Sequence, residues 1–159
     1  MANKNSKVNT QPLWRFLFVL YCAVMLWLLF GRPRDWAEGL TYQQMLSQNI
    51  NWTPFLTIKN YYYVVQQGAG HPYFSHCVIN LLGNILLFIP AGWLLPKVFQ
   101  KQRKFFRFFF TCLGLILLVE TLQLFTLLGS FDVDDVILNM GGMLAGFVFY
   151  KLVAAIRKG

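Results

Sequence analysis

The chain has 159 residues, of which 57% are hydrophobic, 18% aromatic and only 13% charged. A soluble domain of this length needs far more polar surface, so the composition points to one membrane-embedded domain covering residues 1–159. The net charge of +8 does not make a nucleic-acid binder: the basic residues flank apolar runs and form no stripe of their own, and neither a zinc spacing nor an RNA-binding signature is present.

In chain order, a polar leader of roughly ten residues is expected to be disordered. The first apolar run covers residues 13–30 and is short enough to be a signal peptide. It is followed by Gly31-Arg-Pro-Arg34 and not by a small-x-small cleavage site, so it reads as a retained anchor. Next comes a long connection carrying Trp36, Tyr42, Trp52, Phe55, Tyr61, Tyr62, Tyr63, Tyr73 and Phe74. Tyr and Trp favour the membrane interface, so this connection reads as a loop lying on headgroups or as a lid over an outward-facing site. Asn51-Trp-Thr53 fits a glycosylation sequon, a pattern common by chance. Three further apolar runs cover residues 77–95, 108–128 and 136–156, each close to the ~20 residues a spanning helix needs. The sequence therefore predicts an all-α bundle of four transmembrane helices. Cys22, Cys77 and Cys112 are scattered through apolar segments, an odd count with no close pair, and read as small buried hydrophobes.

Charge placement supports the four spans. Eleven basic residues (Lys4, Lys7, Arg15, Lys97, Lys101, Arg103, Lys104, Arg107, Lys151, Arg157 and Lys158) fall on one side, and only Arg32, Arg34 and Lys59 on the other. Every acidic residue except Glu120 falls with the smaller basic group. By the positive-inside rule, both termini and the basic loop are expected in the cytoplasm, with the aromatic connection and the acidic turn extracellular.

Polar residues inside the spans share a depth. His76, Asn80 and Asn84 are spaced i, i+4, i+8 and line one helical face. The two asparagines are expected about 5 and 10 Å below the outer end of the second span. Glu120 and Gln123 share a face of the third span, with Glu120 about 12 Å below its outer end. Asp135 and Asn139 share a face of the fourth, which Gly142 and Gly146 continue; Asn139 is expected about 5 Å down. Polar side chains facing lipid lack partners, so these faces are expected to turn inward and meet. Glycine on the same face permits close helix approach.

The stretch FDVDDVILNMGG holds three of the six acidic residues. Asp132 or Asp134 can cap the fourth helix and complement its dipole, and both are expected at the mouth of the polar cluster. Glu120 is the foremost functional candidate, since a carboxylate at that depth costs several kcal/mol unless paired or protonated. It fits a neutral hydrogen-bonded core, a ligand site open to the outer leaflet, or acid and metal chemistry. Enzymatic signals are weak: there is no Ser elbow, no HExxH, no Gly-rich phosphate loop and no cofactor motif. Asp132, Asp134, Asp135 and Glu120 together resemble a hard-cation set, but an ordinary acidic turn is the simpler account. His71 and His76 have a poor metal spacing, and no metal is expected.

Taken in order, several stretches resemble the VanZ-like family of small bacterial membrane proteins, named for a teicoplanin-resistance protein. They are Asn51-Trp-Thr-Pro-Phe55, Asn80-Leu-Leu-Gly-Asn84, Phe88-Ile-Pro-Ala-Gly92, Glu120-Thr-Leu-Gln123, and Phe131-Asp-Val-Asp-Asp135 through Asn139-Met-Gly-Gly142. The resemblance covers roughly residues 50–150. One position departs from it: where the family often carries a basic residue before the acidic turn, this chain reads Leu127-Leu-Gly-Ser130. The resemblance implies a cell-envelope role, with membrane lipids and a lipid-linked cell-wall precursor or a lipoglycopeptide as partners. The expected working cluster is Asn80, Asn84, Glu120, Gln123, Asp135 and Asn139, with Asp132 and Asp134 at its mouth. Two alternatives stand beside this reading. One is a membrane enzyme on a lipid-linked substrate, with Glu120 as acid or base and Asp132 and Asp135 as metal ligands. The other is a scaffold for another membrane protein.

Overall fold

The structure, a computed structural model, describes residues 9–31 and 39–157. Lys4, Lys7, Arg32, Arg34, Asp35, Trp36, Glu38 and Lys158, which contributed to the charge and aromatic patterns, lie outside the described residues. Six helices occur among the described residues: α1 (Gln11–Phe30), α2 (Tyr42–Gln48), α3 (Leu56–Gln66), α4 (Phe74–Val98), α5 (Phe105–Phe125) and α6 (Val133–Ile156). A 3-10 turn, Gln100–Arg103, joins α4 to α5. Two two-residue strands, β1 (Ile50–Asn51) and β2 (Phe131–Asp132), pair in parallel. Helices α1, α4, α5 and α6 are long and apolar enough to cross a membrane. The chain is a multi-pass, all-helical membrane protein.

The helix ends shift the expected depths. The third span, expected to reach residue 128, ends at Phe125. Leu127 takes a left-handed φ of 56° and Gly129 N–H turns back to the Gln123 carbonyl at 3.1 Å. Glu120 therefore lies about 8 Å below the end of its helix, not 12. Helix α6 starts earlier than the apolar run, at Val133, which places Asn139 about 9 Å below its start. The two residues thus sit at matching depth.

The centre of the bundle is the α4–α6 seam. A Cβ added at Gly142 would fall inside the contact radius of the Ile85 carbonyl oxygen; one at Gly146 would strike the Ile89 carbonyl, and one at Gly92 that of Met143. The two backbones are in direct contact, which only glycine permits. In lipid the attraction between apolar helices comes from such close packing, since lipid tails solvate Leu as well as another helix does. Around the seam, Phe88, Ala91, Leu95, Phe108, Cys112, Ile116, Met140, Met143 and Phe147 form the apolar core. Phe108 stacks on Phe147 with ring centroids 4.4 Å apart.

One end of the bundle is basic. There Arg103 Nε donates to the Pro96 carbonyl and Gln11 Nε2 to the Lys97 carbonyl, which supplies donors to carbonyls left open in the last turn of α4. Lys97 Nζ lies over the rings of Trp14, Trp93 and Tyr150. At the opposite end, the described part of the aromatic connection, from residue 39 on, holds regular structure. It folds into α2, β1 and α3. Strand β1 lies beside β2 in the acidic turn, with Ile50 opposite Phe131 and Asn51 opposite Asp132. Tyr42 Oη caps the Phe125 carbonyl at the end of α5.

Candidate functional site

A cavity of about 290 Å³ opens at the acidic end, lined by Leu29, Tyr61, His76, Asn80, Asn84, Glu120, Gln123, Gly129, Ser130, Asp135 and Asn139. Larger hollows lie elsewhere, one of about 620 Å³ at the basic end beside Arg15 and Lys101, but this one holds the membrane carboxylates. Six residues expected from the sequence to meet (Asn80, Asn84, Glu120, Gln123, Asp135 and Asn139) do line it together, from α4, α5 and α6.

Each is placed by local chemistry. Asn84 Nδ2 donates both to Asn80 Oδ1 at 3.2 Å, one turn back on α4, and to Asp135 Oδ1 on α6. Gln123 Nε2 donates to the Leu29 carbonyl at the end of α1, so the first helix closes one wall. Asn139 Nδ2 donates weakly to Glu120 Oε1 at 3.4 Å. Both residues are only 3% exposed. Glu120 Oε2 and Asn139 Oδ1 are buried and have no hydrogen-bond partner among the described residues. Such atoms are uncommon, because an unmet buried acceptor costs about 1–3 kcal/mol.

Asp132 and Asp134 sit elsewhere. Asp132 caps α6 by accepting the Asp134 N–H at 2.8 Å. Its carboxylate also takes Thr57 Oγ1 at 2.6 Å and Asn51 Nδ2 at 3.2 Å. Asp134 is fully buried and turns away from its own helix, accepting the backbone N–H groups of Phe55 and Ile58 at the start of α3. There its charge complements the positive end of the α3 dipole. Phe55 takes a left-handed φ of 64° as the residue before α3. These two aspartates are outside the cavity lining and form a clamp that fastens α3 to α6. A metal held by Asp132 and Asp135 would have to displace the three donors now on Asp132. Among the described residues no three His, Cys, Asp or Glu side chains converge as a ligand set.

The sequence reading missed part of the lining. His76 shares a helical face with Asn80 and Asn84, a spacing that places it in the lining although the expected cluster does not include it. Tyr61 comes from α3, and no sequence pattern placed it there; its ring packs edge-on to His76 at 5.8 Å. Ser130 and Gly129 enter through the turn after α5.

Four spanning helices around a carboxylate- and amide-lined cavity define a small polytopic membrane protein with a polar site inside its bundle. The VanZ/LLP1 family model matches residues 18–154, nearly the whole chain. The chain belongs to the VanZ-like family. No curated protein and no solved structure matches it.

Proposed function

We propose that the cavity binds, and so masks, a small polar part of an envelope component drawn from the outer leaflet. Asn80, Asn84, Glu120, Gln123, Asp135 and Asn139 are its contacts. In this reading the acidic end faces outward and the basic end faces the cytoplasm, as the excess of Lys and Arg at one end favours. The observation that carries the proposal is the pair of buried acceptors, Glu120 Oε2 and Asn139 Oδ1, which are without a partner among the described residues and belong to two residues that line the cavity. A core built only to fix helix register would close on those atoms.

Size narrows the reading. Drug-sized ligands occupy pockets of roughly 300–1,000 Å³, so about 290 Å³ admits a headgroup and not a whole lipoglycopeptide. Any protection against teicoplanin, the role the family name suggests, therefore runs through an envelope group that the protein holds. The test is teicoplanin susceptibility of a Gram-positive host with and without this chain, alongside Glu120→Ala and Asp135→Ala at matched membrane expression. Protection by the native chain and its loss in both variants is the expected result. Protection retained in both variants would remove the cavity from the function and favour a scaffold.

A further inference from the structure

We infer that the ligand group received by this cavity is a primary ammonium, as on an amine-bearing lipid headgroup. This inference rests on the cavity being a binding site, as proposed above, and adds the chemistry of what enters it. On the residues that line the cavity, the two buried atoms without partners among the described residues are Asn139 Oδ1 and Glu120 Oε2, which as an amide and a carboxylate oxygen are acceptors. Of the side-chain amides beside them, Asn139 Nδ2 already donates to Glu120, Asn84 Nδ2 to Asn80 and Asp135, and Gln123 Nε2 to Leu29. The deep part of the site therefore asks for a group that donates.

Charge points the same way. Glu120 and Asp135 line the cavity, and among the described residues no Lys or Arg does, so a phosphate or carboxylate entering it would meet two carboxyl groups and none of the described cations. A hard metal ion such as Ca²⁺ takes 6–8 oxygen ligands, usually with several carboxylates; two carboxylates and a few amides are a poor match. A –NH₃⁺ group carries three donors and no acceptor, which suits two unmet acceptors beside a second carboxylate. The Tyr61 ring on the lining adds a face on which a cation is attracted. A quaternary ammonium has the same charge but no N–H, and would leave both acceptors unmet. The site should therefore tell ethanolamine from choline.

The experiment uses the full chain in detergent, with binding read by native mass spectrometry and by thermal shift. The probes are short-chain phosphatidylethanolamine, phosphatidylcholine and phosphatidylglycerol, with free ethanolamine and Na⁺ as separate arms. Phosphatidylethanolamine is expected to bind at least about tenfold more tightly than phosphatidylcholine, because a site left with unpaired buried polar groups rejects the analogue. Glu120→Gln, which keeps an oxygen for Asn139, is expected to remove that preference, and Asp135→Asn to weaken it. Binding of free ethanolamine in competition would identify the amine, and not the lipid, as the recognised part; no competition, with lipid selectivity kept, would make the lipid-borne amine the ligand. Either outcome supports the inference. Equal binding of the ethanolamine and choline lipids overturns it, as does a stabilisation by Na⁺ that phosphatidylethanolamine fails to match. If phosphatidylglycerol or phosphatidylcholine is preferred and Glu120→Gln abolishes that binding, the cavity is a site but not for an amine. If no probe binds in a way that either variant changes, the binding-site reading falls as well. Should Glu120→Gln fail to fold, the selectivity of the native chain between the two lipids decides alone.

Discussion

Helix α6 and helix α1 are both apolar and both long enough to span, yet they are held in opposite ways. α6 meets α4 backbone to backbone across Gly92, Gly142 and Gly146. α1 fully buries only Met25 among its residues, packs Phe18, Tyr21, Leu28 and Leu29 part-buried against the core, and adds polar contacts at its two ends and middle: Gln11 to Lys97, Tyr21 to Leu87, and Leu29 to Gln123. Hydropathy does not distinguish the two helices, because in a membrane an apolar surface is equally at home against lipid or protein. What separates them is the placement of glycine and of polar atoms. The rigid seam fixes Asn84, Asp135 and Asn139 against one another, whereas α1 supplies one wall of the cavity through a backbone carbonyl.

The largest break in that contrast should come at the seam. Gly142→Val or Gly146→Val drives a branched side chain into a carbonyl of α4 and is expected to cost more than about 3 kcal/mol, enough to lose folded protein. Gly141, next in sequence on α6, has open space where its Cβ would be, so Gly141→Ala should stay within about 1 kcal/mol of the native chain and favour the helix. The fraction of monodisperse protein after extraction and its unfolding midpoint check both. Similar losses at positions 141 and 142 would mean that the seam is not what holds the bundle.

A smaller but local effect is expected at the clamp. Asp134→Ala leaves the N–H groups of Phe55 and Ile58 without their acceptor, at about 1–3 kcal/mol each. Hydrogen exchange should rise in residues 55–58 and at the start of α6, while the α4–α6 seam stays protected. Uniform deprotection across α4 and α6 would show that the clamp and the seam are one unit.

This clamp also marks where the sequence stops being readable. The spans were legible because long apolar runs and segregated Lys and Arg are local signals. The six polar lining residues were legible because an amide or carboxylate inside an apolar run stands out, and helical spacing puts it on a face. The role of Asp134 was not. Its partners are backbone N–H groups 79 and 76 residues away, and a backbone donor leaves no trace in residue identity. An acidic turn before a helix looks like capping in either case. Asp132 does cap α6, while Asp134, two residues on, serves another helix. The same reason hid the place of Tyr61 and the helices of the aromatic connection: α3 is fixed by contacts made across the fold, and its Tyr-rich sequence suggested a headgroup loop or a lid without naming the ring that reaches the cavity.

The mildest prediction tests the loosely held side. Tyr21 Oη donates to the Leu87 carbonyl at 2.8 Å, close to Pro90 within α4. Proline removes the helical donor for the carbonyl four residues before it. That carbonyl belongs to Leu86, so the Leu87 oxygen keeps the helical position of Ala91 as its own donor. The tyrosine bond is therefore a second one to an oxygen already served. Tyr21→Phe leaves no buried acceptor unmet and should cost only about 0.5–1 kcal/mol, the range typical of single hydrogen bonds between membrane helices. A midpoint shift of that size, with cavity binding unchanged, would sharpen the contrast between the two helices. A loss comparable to Gly142→Val would mean instead that α1 is held as firmly as α6, and that one polar contact can stand in for a glycine seam.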